Sequence, residues 1–391
     1  MIILYIVRNR EVVTVKKVLS KIDKPLFFSM LIFFIFGLIM IFSASTIVSV
    51  IGFNKEPYSF FIKQALFLFV GLIAFFIILF IPTKNYSKFS NTLLITVLLA
   101  LAGLFVYGKV TNNAMSWYYI GPFSLQPSEF AKTILIIYMG TYYYKNRKNL
   151  NSQNIILKPL YAALMIFALV FLQPDLGTGI IIAAIAILIY FSLPIKTVYK
   201  KNMITILLIV AIMFIGLYLV AGKKILTTTQ LNRFNYKEPC KRYTENTGYQ
   251  VCNGYIAINN GGLFGVGLGN STQKYLYLPE AHTDFIFPIV IEELGVITGI
   301  AVILMYIFII YRILKISRDS NNLGNSVMAY GIAAYIFCHI AVNLVGILGL
   351  GPMTGVPLPF LSYGGSFALN LMITFGIVQR IAIENKISKS K

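Results

Sequence analysis

The sequence predicts an all-α membrane protein of about ten transmembrane helices, and three observations lead to it. Of 391 residues, 58% are hydrophobic and only 12% are charged. That is too little charge to coat a soluble body of this size, so the bilayer is the solvent for most of the chain. Apolar blocks near the ~20 residues needed to cross a bilayer recur with short polar gaps between them. The 33 Lys and Arg against 13 Asp and Glu give a formal charge of +20, and the cations fall in small clusters between the apolar blocks. Such scatter is a topology signal and argues against nucleic-acid binding, which needs a basic patch on a folded surface.

Taken in order, Met1–Val7 is apolar but has no basic region before it and is too short for a cleaved signal, so the first span directs insertion. Spans are expected at 27–50, 60–82, 91–108, 128–144, 158–173, 177–194, 203–221, 284–312, 327–349 and 363–383. Two-thirds of the basic residues fall on one side, from Arg8, Arg10, Lys16 and Lys17 through Lys145, Arg147 and Lys148 to Arg312, Lys315, Arg380 and Lys386. The positive-inside rule therefore places both termini in the cytoplasm. This divides the chain into a cytoplasmic segment 1–26, a ten-span domain 27–383 with a large extracellular loop at 222–283, and a cytoplasmic tail 384–391. Smaller outer connections lie near 109–127, 173–177 and 350–362. No internal repeat or matched pair of broken spans is apparent, which weakens an inverted-repeat transporter.

Every unusual polar motif lies on an outer connection. The densest is Tyr277-Leu278-Pro279-Glu280-Ala281-His282-Thr283-Asp284, running on to Glu292-Glu293-Leu294-Gly295. An acid at the first turn of a helix can cap free N–H groups, so Thr283 and Asp284 read either as an N-cap or as a base or cation ligand at the membrane surface. Glu292 and Glu293 fall ~12 Å deeper along the same helix, where carboxylates are paired or functional. His282 has no second metal ligand nearby, and a loop hydrogen bond is its expected role. In Gln126-Pro127-Ser128-Glu129-Phe130-Ala131-Lys132, Ser128 reads as an N-cap, and Glu129 and Lys132 pair at i,i+3. Trp117, the single tryptophan, is an interfacial anchor or a cavity wall. Asp175, in the hairpin Gln173-Pro174-Asp175, caps the sixth span or faces a ligand. The Pro- and Gly-rich run Gly355 to Ser366, containing Ser362, is irregular backbone that must be buried in protein or line a cavity. Gly261 to Gly269 is a weak phosphate-cradle signal without a preceding strand. Cys240 and Cys252 share the long loop, where they are a disulfide or two thiols, and their spacing fits no metal motif. Together with Arg233 and Lys274, these groups suit a ligand with a lipid tail and a phosphate-bearing head.

The four motifs QPSEFAK, QPDLGT, LPEAHTDFIF…EELG and TGVPLPFLSYGGS, in this order, resemble the FtsW/RodA/SpoVE (SEDS) family over nearly the whole chain. The resemblance implies a ten-span peptidoglycan glycosyltransferase that polymerises lipid II, partnered by a class B penicillin-binding protein and other division or elongation proteins. It sets the protein in the cell membrane with its active site facing outward, at the division septum if the division branch holds. Carried over by position, the family's essential acid is Asp284, which would activate the acceptor 4-hydroxyl for attack on the donor C1 while undecaprenyl pyrophosphate leaves with inversion. Positive charge for that pyrophosphate would come from Arg233, Lys274, Lys132 or a divalent cation (Mg2+ or Mn2+) held at Asp284; no organic cofactor is implied. Glu280, Trp117, Glu129, Gln126, Ser128, Asp175, His282 and Ser362 complete the expected substrate site. Where the family has Asn-Gly-Ala-Arg, this chain has Asn112-Asn113-Ala114-Met115 and so lacks a basic residue. Gly269-Asn270-Ser271 and Leu278–His282 are similar to the division branch, and Met353-Thr354-Gly355 to the elongation branch. The rival readings are a lipid II flippase, which would rely on Glu129, Lys132, Glu292 and Glu293, and a scaffold that recruits the transpeptidase and tolerates loss of Asp284.

Overall fold

The computed structural model describes residues 5–8, 11–111, 114–121, 123–225 and 237–389. After a small hairpin, β1 (Tyr5–Arg8) with β2 (Glu11–Thr14), and a short helix α1 (Val15–Leu19), long helices dominate. They are α2 (Lys24–Ile47), α3 (Ser59–Phe80), α4 (Thr83–Tyr107), α5 (Pro127–Lys145), α6 (Gln153–Leu172), α7 (Leu176–Ser192) and α8 (Thr197–Ile225), then α10 (Ile286–Arg318), α11 (Leu323–Ile347) and α12 (Gly365–Lys389). These ten follow the expected spans in order. Among the described residues, seven are long and apolar enough to cross a membrane, and α7 is a shorter apolar helix. The seven do not include α5, which carries Glu129, Lys132 and Lys145.

The helices sort by how much apolar surface they bury. In α12, 89% of the most apolar window is buried, against 22% in α3, so α12 is the central column and α3 faces the surroundings along most of its length. Around α12 pack α3, α5 and α11. The crossing of α5 and α11 is close because both contact residues are glycine. A Cβ on Gly140 would meet Met328 Cγ at 2.4 Å, and one on Gly324 would meet Tyr144 Cβ at 2.9 Å. Small residues at such crossings bring helix backbones together.

Two of the connections are more ordered than loops. Residues 109–125 form a three-stranded antiparallel sheet of β3 (Lys109–Thr111), β4 (Ala114–Ile120) and β5 (Phe123–Leu125). The Tyr118 hydroxyl donates to Ala100 O at 2.8 Å and Met115 N to Gln173 O at 3.3 Å, which pins the sheet to the bundle. In the long loop, α9 (Asn246–Gly261) packs against α10. A disulfide between Cys240 and Cys252 ties the chain before α9 to that helix, and Cys338 is free and buried.

The largest departure from a plain span is in α10, where Gly295 has non-helical backbone (φ 85°, ψ 166°) about 13 Å from the helix start. The glycine-rich run satisfies the freed groups. Val266 N donates to Glu292 O and Gly267 N to Glu293 O, each at 2.9 Å, and Val296 N donates to Gly262 O at 2.9 Å. A Cβ on Gly295 would lie 2.1 Å from Leu263 O, and one on Gly265 2.3 Å from Glu293 O. These glycines serve a broken helix instead of cradling a phosphate.

Candidate functional site

Asp284 lies at the end of the bundle opposite the chain termini, and it is not a helix cap. The eighth span starts at Ile286, two residues later than expected, and its N-cap position is Phe285 with no side-chain cap bond. Of the two readings open for Thr283 and Asp284, the N-cap is therefore set aside. Thr283 instead bridges two acids: its hydroxyl lies 2.6 Å from Glu280 Oε2 and 3.1 Å from Asp284 Oδ1. Asp284 is 9% exposed and lines a cleft with Val342, Asn343, Met353, Thr354 and Gly355. Gly355 has left-handed backbone (φ 68°), and a Cβ there would make only ordinary contact with Asp284 Oδ2, at 3.8 Å. The cleft has room for about 10 Å³ of water-sized space, far below the several hundred Å³ of an ordinary ligand site, so in this state it is closed to a sugar and holds no more than about one water.

Two residues of α11, one turn apart, hold the walls. Asn343 Nδ2 donates to Asp284 O and Val356 O, each at 2.8 Å, joining the Asp284 segment to the Pro-rich run. His339 Nδ1 is 3.2 Å from Pro357 O, and its Nε2 is 2.9 Å from Lys132 Nζ. Lys132 in turn pairs with Glu129 Oε1 at 2.8 Å, with both side chains buried, so the expected i,i+3 pair is present. Burial without a partner would make these charges expensive, and pairing with a hydrogen-bonded imidazole makes them tolerable. Neither His339 nor Asn343 was anticipated. The available signal was an imidazole inside an apolar span.

The other anticipated residues divide by what they touch. Gln126 Nε2 donates to Asp175 Oδ2 at 3.2 Å, linking two motifs, while Asp175 Oδ1 caps α7 by accepting from Thr178 N at 3.2 Å. Ser128 is not the N-cap of α5. Pro127 occupies the first turn and moves the cap to Gln126, leaving the Ser128 hydroxyl buried without a hydrogen-bond partner among the described residues. Ser362 Oγ accepts from Leu358 N at 2.7 Å and closes a turn of the Pro-rich run. Tyr363 N donates to His282 O at 2.9 Å, and the His282 ring packs against Phe60 and Tyr363. Burial pushes the His282 imidazole below its usual value, and the nearby Glu280 carboxylate opposes that shift. Glu280 and Phe360 hold left-handed backbone (φ 54° and 69°), one in each loop that meets at Asp284. Trp117 is half-buried on β4, opposite Lys109. Lys274 faces away from the cleft into a buried network, 2.8 Å from Glu293 Oε1 and 3.1 Å from Ser43 Oγ. Glu292 accepts from Asn260 Nδ2, the Ser271 hydroxyl, and the Thr272 amide and hydroxyl. Arg233 lies outside the described residues.

No group of three or more His, Cys, Asp or Glu is placed to hold a metal ion among the described residues. Glu280 and Asp284 supply two carboxylates across the Thr283 hydroxyl, which fits the sparse protein coordination of Mg2+ only when substrate oxygens complete it.

The sequence profile of the FtsW/RodA/SpoVE cell cycle protein family matches residues 24–387. The chain is 37% identical over 382 residues to the probable peptidoglycan glycosyltransferase FtsW of Bacillus subtilis, covering 96% of this chain and 94% of that one. It is 33% identical over 350 residues to the stage V sporulation protein E of the same organism, covering 88% and 93%. In fold it is similar to a chain of a peptidoglycan synthase complex described as coordinating polymerization and crosslinking, with a TM-score of 0.75 at 22% identity, covering 93% and 98%. It is also similar to the rod shape determining protein RodA of Thermus thermophilus, with a TM-score of 0.64 at 23% identity, covering 92% and 96%. Two motifs that line one cleft, a matching profile across the helical bundle and full-length relatives lead to one conclusion: the chain belongs to the FtsW/RodA/SpoVE family.

Proposed function

We propose that this protein is a peptidoglycan glycosyltransferase of the division type, which polymerises lipid II at the outer face of the cell membrane with Asp284 as its base. The observation that carries this is the Asp284 carboxylate itself, lining a cleft built by two of the sequence motifs and α11 and not used as a helix cap. Buried polar atoms nearby, His282 Nδ1 and Asn343 Oδ1, have no hydrogen-bond partner among the described residues, as expected where a polar ligand completes the set. The full-length relatives named as peptidoglycan glycosyltransferases support the reaction class.

In this reading Asp284 takes the proton of the acceptor 4-hydroxyl as that oxygen bonds to the donor C1. The C1–O bond to the pyrophosphate breaks, and undecaprenyl pyrophosphate leaves with the electron pair. A sugar hydroxyl is a poor nucleophile near neutral pH, and a positioned base contributes about 10²–10⁴-fold. Asn343 and His339 act as positioning residues for the cleft walls. A Mg2+ or Mn2+ ion, when bound by Asp284 and Glu280 with substrate oxygens, would add charge to balance the pyrophosphate. The Lys/Arg distribution supports both termini inside, with the boundaries 1–26, 27–383 and 384–391 and the 222–283 loop outside. A crosslinking partner of the class B penicillin-binding type fits an enzyme of this fold, given the synthase complex that shares it.

The test is strand synthesis from purified lipid II by the full chain with its candidate transpeptidase. Asp284→Asn should lose at least about 10²-fold in rate at an unchanged melting temperature. Equal product from both proteins would end the role of Asp284. If neither makes product, translocation in vesicles tests the flippase reading.

A further inference from the structure

At the end that holds the chain termini, α2, α10 and α12 meet around a second cavity, unrelated to Asp284. It has a volume of about 410 Å³ and is lined by Ser20, Asp23, Lys24, Arg312, Lys315, Asp319, Lys386 and Lys389, among others. That size is in the range of sites that hold a whole small ligand. The cations exceed the carboxylates by three.

Its floor is rigid. Asp23 caps α2 by accepting from Leu26 N at 3.0 Å and pairs with the Arg312 guanidinium. The Asp23 backbone is gripped from α12, where Gln379 Oε1 accepts from its N–H at 2.7 Å and Gln379 Nε2 donates to its carbonyl at 2.9 Å. Asn385 Nδ2 donates to Ile316 O at 2.9 Å, and Lys386 Nζ to Ile22 O at 2.7 Å. Three helix ends are thus fixed to one another beneath the cavity. The rim differs. Lys389 reaches Asp319 only at 3.5 Å, and Lys24 and Lys315 are exposed with no carboxylate partner among the described residues. The buried Arg312 Nε also has no hydrogen-bond partner there. Both acids are already faced by cations, so the lining keeps an excess of positive charge.

Directly along the same helices the surface turns apolar. Phe28 on α2 and Tyr311 on α10, each about one helical turn from a rim lysine, are both 56% exposed, and Ile32 and Ile307 continue the apolar faces at 55% and 58%. A preformed basic pocket beneath exposed apolar helix faces matches a ligand with a phosphate head and acyl chains. Basic pockets of this kind between transmembrane helices bind anionic head groups.

We propose that this cavity is a binding site for a phosphate-bearing anion, carried on the head group of an anionic phospholipid of the inner leaflet. The proposal does not depend on the polymerase reading. The test is native mass spectrometry of the full chain in detergent, titrated separately with phosphatidylglycerol, with phosphatidylcholine of the same acyl chains, and with inorganic phosphate. The wild type should prefer phosphatidylglycerol to phosphatidylcholine at least tenfold. Lys24→Gln with Lys315→Gln should weaken phosphatidylglycerol binding about fivefold per lysine and leave phosphatidylcholine unchanged. If that double variant melts lower than the wild type without lipid, Lys315→Gln alone carries the comparison. Equal retention of the two lipids, or an undiminished preference in the variants, overturns the site. Millimolar phosphate that binds and displaces the lipid assigns a free anion and overturns the lipid source.

Discussion

Lys274 is the residue whose role the structure changes most, and Lys274→Met tests that change. In the native protein its ammonium donates to Glu293 Oε1 at 2.8 Å, Gly269 O at 2.6 Å and Ser43 Oγ at 3.1 Å, while Glu293 is fully buried. Removing the cation leaves that carboxylate with the Ser43 hydroxyl, at 2.7 Å, as its one remaining side-chain donor. Breaking a buried pair from one side costs about 3–5 kcal/mol. With an unfolding entropy of roughly 2.1 cal/mol/K per residue over 391 residues, this lowers the melting temperature by about 4–6 °C. Cys338, the free buried cysteine, provides the assay, because a thiol-reactive dye labels it only as the bundle opens. Adding Glu293→Gln removes the stranded charge and should recover more than half of the loss, since the two sites are coupled. If Lys274→Met melts with the wild type and instead raises KM for lipid II, the ammonium serves the substrate pyrophosphate and the reasoning fails.

Two further outcomes follow from the geometry. Gly295→Ala, with φ at 85° and a Cβ 2.1 Å from Leu263 O, should cost at least about 3 kcal/mol in a melt, whereas Gly216→Ala, with open space around it, should cost nothing measurable. Because burial lowers the His282 pKa in the folded protein, the unfolded chain binds more protons below about pH 6.5. Stability contributed by the neutral imidazole is therefore present above that pH and lost as pH falls, and His282→Gln should flatten the slope of melting temperature between pH 7.5 and 5. An unchanged slope would show that another group governs it.

Much of this arrangement was legible in the sequence because it is written in local patterns. Apolar run lengths gave the helices, and i,i+3 spacing gave the Glu129–Lys132 pair. What was hidden depends on contacts between segments far apart in the chain. The Asp284 segment is held by Asn343, 59 residues away, through its backbone carbonyl, and no local pattern marks an asparagine for that use. Ser128 reads as a cap from sequence, but Pro127 in the first turn puts the cap two residues earlier, at Gln126. The glycine run reads equally as an anion cradle because sequence shows conformational freedom, not the partner that needs it. The three strands between residues 109 and 125 escaped notice because short strands carry too few residues for a period-2 signal.

The break at Gly295 also bears on how the bundle is assembled during synthesis. The amides of Val266 and Gly267 and the carbonyl of Gly262 are made before Glu292, Glu293 and Val296, the residues they complete. The ribosome therefore delivers the patch ahead of the gap, and α10 enters the membrane with its missing partners already on the chain. An insertion between residues 262 and 267 would leave each helix sequence intact and still leave one span unfinished.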